Sequence, residues 1–199
     1  MSDQLNIRKI SVFCGASSGM DPAYRKAAFD TGKHLAEQGI GVVFGGGKVG
    51  LMGALADGAI AAGGEVIGVI PRFLKEKELA HPNVSLLVET DTMHERKMKM
   101  NDLCDGVIAL PGGFGTLDEL FEMLTWAQLG LHRKPVALLN VKSFFDPLLN
   151  LIQSMTDRMF LKEAHKDMIL HGPDIGVLLE RMRYHQPPDS AKWIIPGQQ

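Results

Sequence analysis

Two charged side chains in this 199-residue sequence fall where charge is hard to keep, and both are of kinds that do chemistry: Arg96 and Glu119. Arg96 lies in Met93-His-Glu-Arg-Lys-Met-Lys-Met100. At 100° per residue, with Met93 at zero, Met100 falls at about -20°, Cys104 at about +20° and Leu103 at about -80°; Arg96, at about -60°, lands inside that apolar arc. A guanidinium cannot shed its charge. There it needs an anion, whether carboxylate, phosphate or substrate, unless its stem snorkels past the methionines to water. Lys97, at about +40°, flanks it and can share the anion, while Lys99 and Asp102 point to solvent.

Glu119 closes Gly106-Val-Ile-Ala-Leu-Pro-Gly-Gly-Phe-Gly-Thr-Leu-Asp-Glu119. Val107 to Leu110 form the short apolar run of a covered parallel strand, Pro111 ends the ladder, and Leu117, Leu120, Phe121 and Leu124 fall at helical spacing. Between strand and helix, Gly112, Gly113 and Gly115 let a ligand approach the backbone, and the helix presents unpaired N–H groups and its positive dipole end. That is the chemistry of a phosphate or carboxylate site. Thr116-Leu-Asp-Glu119 also fits a capping box, in which the glutamate would serve stability alone. Against that reading, Met123, Trp126 and Gly130 continue the Glu119 side, opposite Leu117, Leu120 and Leu124, so the helix is covered on both sides. A confined carboxylate beside an anion site is a candidate for catalysis.

A second glycine turn, Gly45-Gly46-Gly47-Lys48-Val49-Gly50, satisfies Gly-x-Gly-x-x-Gly. The dinucleotide reading lacks its acidic residue: Glu65 lies at the start of the next strand, and Ile70-Pro71-Arg72 lie at its end. An NADP-linked oxidoreductase using Arg72 stays open as an alternative. A P-loop lacks the Ser or Thr after Lys48. Packing glycines between helix and strand are the plain alternative. The seven histidines show no ligand spacing, so no metal is expected; His34, His81, His132, His165, His171 and His185 read as surface or capping residues. His94 is nearer the site without a visible orienting partner. Ser17 and Ser18, in the first turn, could bind a ligand.

Around these motifs, strands and helices alternate. Strands are expected at Lys9–Cys14, Ile40–Phe44, Glu65–Ile70, Val84–Val88, Val107–Leu110 and Val136–Asn140, with a seventh at Met168–Leu170. Helices are expected over Pro22–Gln38, Leu51–Ala62, from an Asp91 cap through Leu103, after Gly115, near Phe144–Met159 and over Ile175–Arg183. The fold class is α/β: one doubly wound, Rossmann-like parallel sheet of six to seven strands with helices on both faces. It occupies residues 1–185, and residues 186–199 form a tail without a readable pattern. Ligands in such sheets sit beyond the carboxyl ends of the strands, where both glycine turns should open.

The composition narrows the partners. At 45% hydrophobic and net charge -2, the chain offers no basic surface for nucleic acid or anionic membrane, and a small ligand is expected. No apolar run approaches the ~18 residues of a span. Neither this nor the N-terminus suggests export, so a cytoplasmic protein with reduced Cys14 and Cys104 is expected. The apolar far side of the Glu119 helix predicts a homodimer.

Pro111-Gly-Gly-Phe-Gly-Thr-Leu-Asp-Glu119, Met93-His-Glu-Arg-Lys97 and Gly45-Gly-Gly-Lys-Val-Gly-Leu-Met-Gly53 together resemble the Lonely Guy family of cytokinin riboside 5'-monophosphate phosphoribohydrolases. Thr125-Trp-Ala-Gln-Leu-Gly130 and Lys134-Pro135 are also similar, and the likeness runs from about Ile10 to Leu179. The resemblance implies a doubly wound homodimer with sites near the subunit interface. Its activity would be hydrolysis of the N-glycosidic bond of a nucleoside 5'-monophosphate, AMP or N6-prenyl-AMP, to free base and ribose 5-phosphate, with no cofactor. It further implies that Arg96 and Glu119 are the catalytic pair and that Glu78, Lys97, Gly112, Gly113, Phe114, Gly115, Thr116 and Thr125 bind substrate. Some members carry the label possible lysine decarboxylase, yet no Schiff-base lysine with a pyridinium partner is visible. Phe114 replaces a common tyrosine and Asp118 a common glutamate. A nucleotide-binding sensor or carrier on the same fold is the main alternative.

Overall fold

A computed structural model describes residues 4–75 and 79–186. Seven strands, β1 (Lys9–Phe13), β2 (Gly41–Phe44), β3 (Val66–Pro71), β4 (Leu86–Thr90), β5 (Gly106–Ala109), β6 (Val136–Leu139) and β7 (Ile169–Gly172), form one parallel sheet in the order β4-β3-β2-β1-β5-β6-β7. The helices are α1 (Pro22–Glu37), α2 (Gly50–Ala61), the short α3 (Arg72–Lys75), α4 (Met93–Asp102), α5 (Phe114–Gln128), α6 (Asp146–Asp157), the short α7 (Glu163–Lys166) and α8 (Ile175–Arg183).

The interior strands are apolar at nearly every position because both sheet faces are covered, Lys9 and the buried Ser11 of β1 being the polar exceptions. Alternate residues feed two cores. Ile10, Val42, Phe44, Ile108 and Leu110 pack with Leu35, Leu55 and Leu179 on one side; Phe13, Val43, Val107 and Ala109 pack with Met100, Leu120 and Phe145 on the other. Residues on α1, α2 and α8 fill the first core and residues on α4, α5 and α6 partner the second. The chain winds outward from β1 to β4, then crosses back to place β5 on the other side of β1, with Ile10 opposite Gly106 and Val12 opposite Ile108. This β1–β5 junction is the topological switch point. There the loops after the two strands part, leaving a crevice at the carboxyl edge. The Gly15 N–H donates to the Pro111 carbonyl at 3.1 Å, tying the two loops at their base.

Local signals explain most helix starts. The Asp21 carboxylate accepts from Ala23 N–H, with Pro22 opening α1. At α4 the cap is Thr92 instead of the expected Asp91: Thr92 Oγ1 accepts from Glu95 N–H at 3.1 Å, and Glu95 Oε2 accepts from Asp91 N–H at 2.9 Å. Thr92 and Glu95 thus work as a reciprocal cap. β4 begins two residues later than expected because Ser85 is still engaging Val66 through both its backbone and its hydroxyl. As an edge strand, β4 leaves Leu86 half exposed, so its apolar pattern was a poor guide to its ends.

α1 and α2 approach through two glycines. A Cβ at Gly32 would lie 2.0 Å from the Leu55 carbonyl oxygen, and one at Gly58 would lie 2.0 Å from that of Phe29. Backbone atoms cannot swing aside. Gly58→Ala is expected to destabilise the protein by roughly 2–3 kcal/mol through helix separation, read as a lower urea midpoint with an unchanged m-value.

Candidate active site

Three loops converge on the crevice: residues 15–19 after β1, 45–50 after β2 and 111–116 after β5. They enclose a cavity of about 510 Å³ that Cys14, Gly15, Ser17, Ser18, Tyr24, Gly45, Met52, Leu74, Met93, Arg96, Gly112, Gly113, Gly115, Thr116, Glu119 and Phe144 help to line. Among the described lining residues Arg96 is the one cation and Glu119 the one carboxylate.

Arg96 enters from the end of the first turn of α4 and is only 5% exposed. One terminal nitrogen, Nη2, donates to the Gly45 carbonyl at 3.0 Å, and Nη1 lies 3.8 Å from Met93 Sδ. A Cβ at Gly45 would stand 2.0 Å from Nη2 and 2.9 Å from Met52 Sδ, so the guanidinium fits only because position 45 has no side chain. Glu119 reaches the same cavity from the second turn of α5. Both charges act on the thiol of Cys14, which lines the same cavity. Burial pushes that thiol well above its ordinary pKa, Glu119 adds to the rise and Arg96 opposes it.

The glycine turn after β5 is built for close approach. A Cβ at Gly112 would lie 2.1 Å from Thr116 Oγ1 and 2.9 Å from Gly15 N, whereas Gly113 and Gly115 face open space. Thr116 is buried beneath the turn. α5 begins at Phe114 with Gly113 as its cap and no side-chain cap bond, so Thr116 belongs to the first turn. The Thr116–Glu119 spacing therefore forms no capping box, because the helix starts earlier on backbone conformation alone.

The other candidates divide. Gly45, Gly112, Gly113, Gly115 and Thr116 surround the cavity with Arg96 and Glu119; Ser17 and Ser18 join them. Phe114 is 94% exposed and outside the lining. Thr125 is exposed, its hydroxyl donating to the Phe121 carbonyl at 2.7 Å. Lys97 also lies outside the lining and is held by Asp118 and Glu122 of α5. Glu78 lies outside the described residues. Gly46 and Gly50 serve packing, and Gly47 pairs with Ala80 in an isolated antiparallel bridge. At Gly50 (φ +64°) a Cβ would meet the Ala16 carbonyl oxygen at 2.2 Å, and Gly46 accepts from the His81 N–H at 2.8 Å. Arg72, the cation an NADP reading needs, pairs with Asp91 at 3.0 Å and Glu89 at 3.8 Å.

Sequence reasoning missed several features here. Tyr24 and Phe144, edge to face at 6.0 Å, line the cavity from α1 and from the turn after β6, and no local pattern marks them. His81, read as a surface or capping residue, is buried and bonded to Asp57 at 3.2 Å, fixing the segment that covers the second glycine turn.

A family model described as possible lysine decarboxylase matches residues 52–182. The cytokinin riboside 5'-monophosphate phosphoribohydrolase LOG of Oryza sativa subsp. japonica is 43% identical over 180 residues, covering 90% of this chain and 74% of that protein. The chain belongs to the Lonely Guy family. LOG7 of Arabidopsis thaliana, described as a cytokinin riboside 5'-monophosphate phosphoribohydrolase, is 42% identical over 180 residues, covering 90% and 83%. Beyond this Lonely Guy membership, more distant solved structures share the fold. The molybdenum cofactor binding protein of Rippkaea orientalis superposes with a TM-score of 0.64 at 24% identity, covering 88% of this chain and 96% of its own. The Moco carrier protein of Chlamydomonas reinhardtii gives 0.65 at 21%, covering 88% and 99%. No helix among the described residues is long and apolar enough to cross a membrane.

Both cysteines are free and buried, and burial also pushes the Cys104 thiol up to about 11. Neither is a thiolate at pH 8. Iodoacetamide should therefore leave the native protein unmodified for hours at that pH and label both residues once urea unfolds it, as intact-mass spectrometry will read.

Proposed function

We propose that this Lonely Guy protein hydrolyses the N-glycosidic bond of nucleoside 5'-monophosphates, releasing the free base and ribose 5-phosphate, with Arg96 and Glu119 as its catalytic pair. The observation that supports the residue assignment is the shared cavity: one buried cation and one carboxylate open on it beside a glycine turn at a helix N-terminus, where Gly113 and Gly115 face open space. The reaction follows from the relatives' activity, and the geometry suits it.

In this reading the 5'-phosphate sits at the α5 N-terminus on the backbone of Gly112 to Thr116, where N–H groups and the helix dipole favour an anion. Pinning the phosphate fixes the ribose against Glu119. As the bond from C1' to the purine nitrogen lengthens, positive charge grows on the sugar, and the carboxylate both stabilises it and orients a water toward C1'. The water oxygen forms the new bond to C1', the base leaves with the bonding pair, and a proton from the water ends on the base. Arg96 is a poor proton donor at any ordinary pH, so its part is to stabilise charge on the phosphate or the departing purine. Gly45 sets its reach. The label lysine decarboxylase finds no support, since no lysine is among the described lining residues to form a Schiff base.

AMP and N6-prenyl-AMP both remain admissible as substrates. A homodimer also belongs to this reading. Exposed Phe114, Leu129 and Leu131 leave apolar surface around both ends of α5 that a second copy would cover. Light scattering at micromolar concentration should give twice the mass of a single chain.

The decisive test is incubation with AMP and isopentenyl-AMP, followed by chromatography for free base. Base release is expected, whereas a carrier on this fold would return its ligand intact. Glu119→Gln should lose about 10³-fold in kcat while still binding AMP, and Gly45→Ala should lose activity by displacing the guanidinium. A Glu119→Gln protein as fast as the parent would exclude this mechanism.

A further inference from the structure

Lys97 follows Arg96 in sequence, and Asp118 precedes Glu119. Each pair is separated by one helical step of about 100°. On α4 that step turns Arg96 into the cavity and Lys97 toward α5. On α5 it turns Glu119 into the cavity, while Asp118 and Glu122, four residues apart, meet α4. Lys97 Nζ lies 3.1 Å from Asp118 Oδ2 and 3.0 Å from Glu122 Oε2. The side chains of Lys97 and Glu122 are 16% and 20% exposed, against 61% for Asp118. The Glu122 contact is the less screened of the two and carries more of the link. Partial burial works against the ammonium, yet hydrogen bonds and charge from Glu122 and Asp118 hold its pKa above the ordinary value.

This arrangement bears on Glu119 in two ways. It ties α4 to α5 on the faces next to those that carry Arg96 and Glu119. It also neutralises Glu122, which sits three residues from Glu119 with Cβ atoms roughly 5–6 Å apart. Among the described residues, the ionisable groups around Glu119 include Arg96, Cys14 and Tyr24 of the same cavity lining, Asp118 and Glu122 along its own helix, and Lys97 paired with those two.

We propose that Lys97 and Glu122 form an interhelix bridge whose role is to position the Arg96–Glu119 pair, so that Lys97 is a positioning residue rather than a substrate ligand. The inference rests on the hydrolase reading above. A ligand lysine would act on affinity. A positioning lysine acts on turnover, because small misplacement of oriented groups is costly at the transition state while the phosphate turn keeps its grip.

The test measures kcat and KM for AMP, inhibition by ribose 5-phosphate and the pH dependence of kcat in Lys97→Met, Lys97→Arg, Glu122→Gln and Asp118→Asn, with thermal unfolding as a control for folding. Lys97→Met and Glu122→Gln should each lower kcat at least tenfold, with KM and the ribose 5-phosphate inhibition constant within about twofold of the parent. Lys97→Arg should restore most of kcat, and Asp118→Asn should change it less than twofold. In Lys97→Met the acid limb of the profile should move up by about half a unit or more, since Glu122 and Asp118 are left to repel the Glu119 carboxylate; in Glu122→Gln it should not rise. Combining Lys97→Met with Glu122→Gln should lower kcat no more than the worse of the two singles. A Lys97→Met protein with unchanged kcat and tenfold weaker AMP and ribose 5-phosphate binding would make Lys97 a ligand and overturn the inference. So would a Glu122→Gln protein with parental kcat. A parent inactive on every nucleotide tried would remove the hydrolase reading and this inference together, whereas an active parent with an unaffected Glu122→Gln removes the inference alone.

Discussion

A guanidinium that keeps its charge at any ordinary pH is held inside an otherwise apolar layer, and the rest of the site is arranged around that fact. Leaving Arg96 buried without compensation would cost several kcal/mol. The sheet supplies part of the answer: the last turn of backbone beyond β2 presents the Gly45 carbonyl to Nη2, and the position has no side chain to block it. The same geometry fixes where α4 must lie. Its first turn has to reach back across β3 to the end of β2, so the reciprocal cap of Thr92 and Glu95, which starts the helix there, is part of what places the charge.

The topology then brings an opposing charge within reach. Because β5 returns to the other side of β1, α5 descends next to α4, and the loops after β1, β2 and β5 meet over one crevice. Close packing of those loops consumes most of the glycines. Gly50 lies against Ala16, and Gly112 makes room for Thr116 and the Gly15 amide. In the turn after β5, Gly113 and Gly115 are left facing open space. The two glycine turns therefore differ in kind. One keeps loops in contact, and the other leaves backbone donors uncovered where an anion can reach them.

The parts of this design that were legible in the sequence are those with a period. Interior strands other than β1, which carries Ser11, read as continuous apolar runs because both faces are covered, and Arg96 stood out because a helix has 100° per residue. The edge strands β4 and β7 lack full cover, so their limits were blurred. Contacts across the chain left no trace at all. Lys97 finds its carboxylates 21 and 25 residues away by helix packing alone, and His81 meets Asp57 across 24. The start of α5 was misplaced for another reason. Gly113 initiates the helix without a side-chain cap, whereas Thr116 and Glu119 imitate the spacing of one.

This chain, a relative of hydrolases, shares its fold with a protein described as a Moco carrier, so the fold alone does not set the function, and the charges around the site have to be argued for themselves. A carrier gains from every favourable contact with its intact ligand. A carboxylate placed next to an anionic phosphate ester works against that, since two negative charges in a partly desolvated crevice repel. The same carboxylate becomes favourable when the sugar acquires positive charge, which happens only as the glycosidic bond breaks. Interactions weak in the ground state and strong in the transition state are the ones that raise turnover. On the proposed assignment, Glu119 beside the glycine turn after β5 is therefore poorly placed for a protein that only holds a nucleotide, and well placed for one that cleaves it.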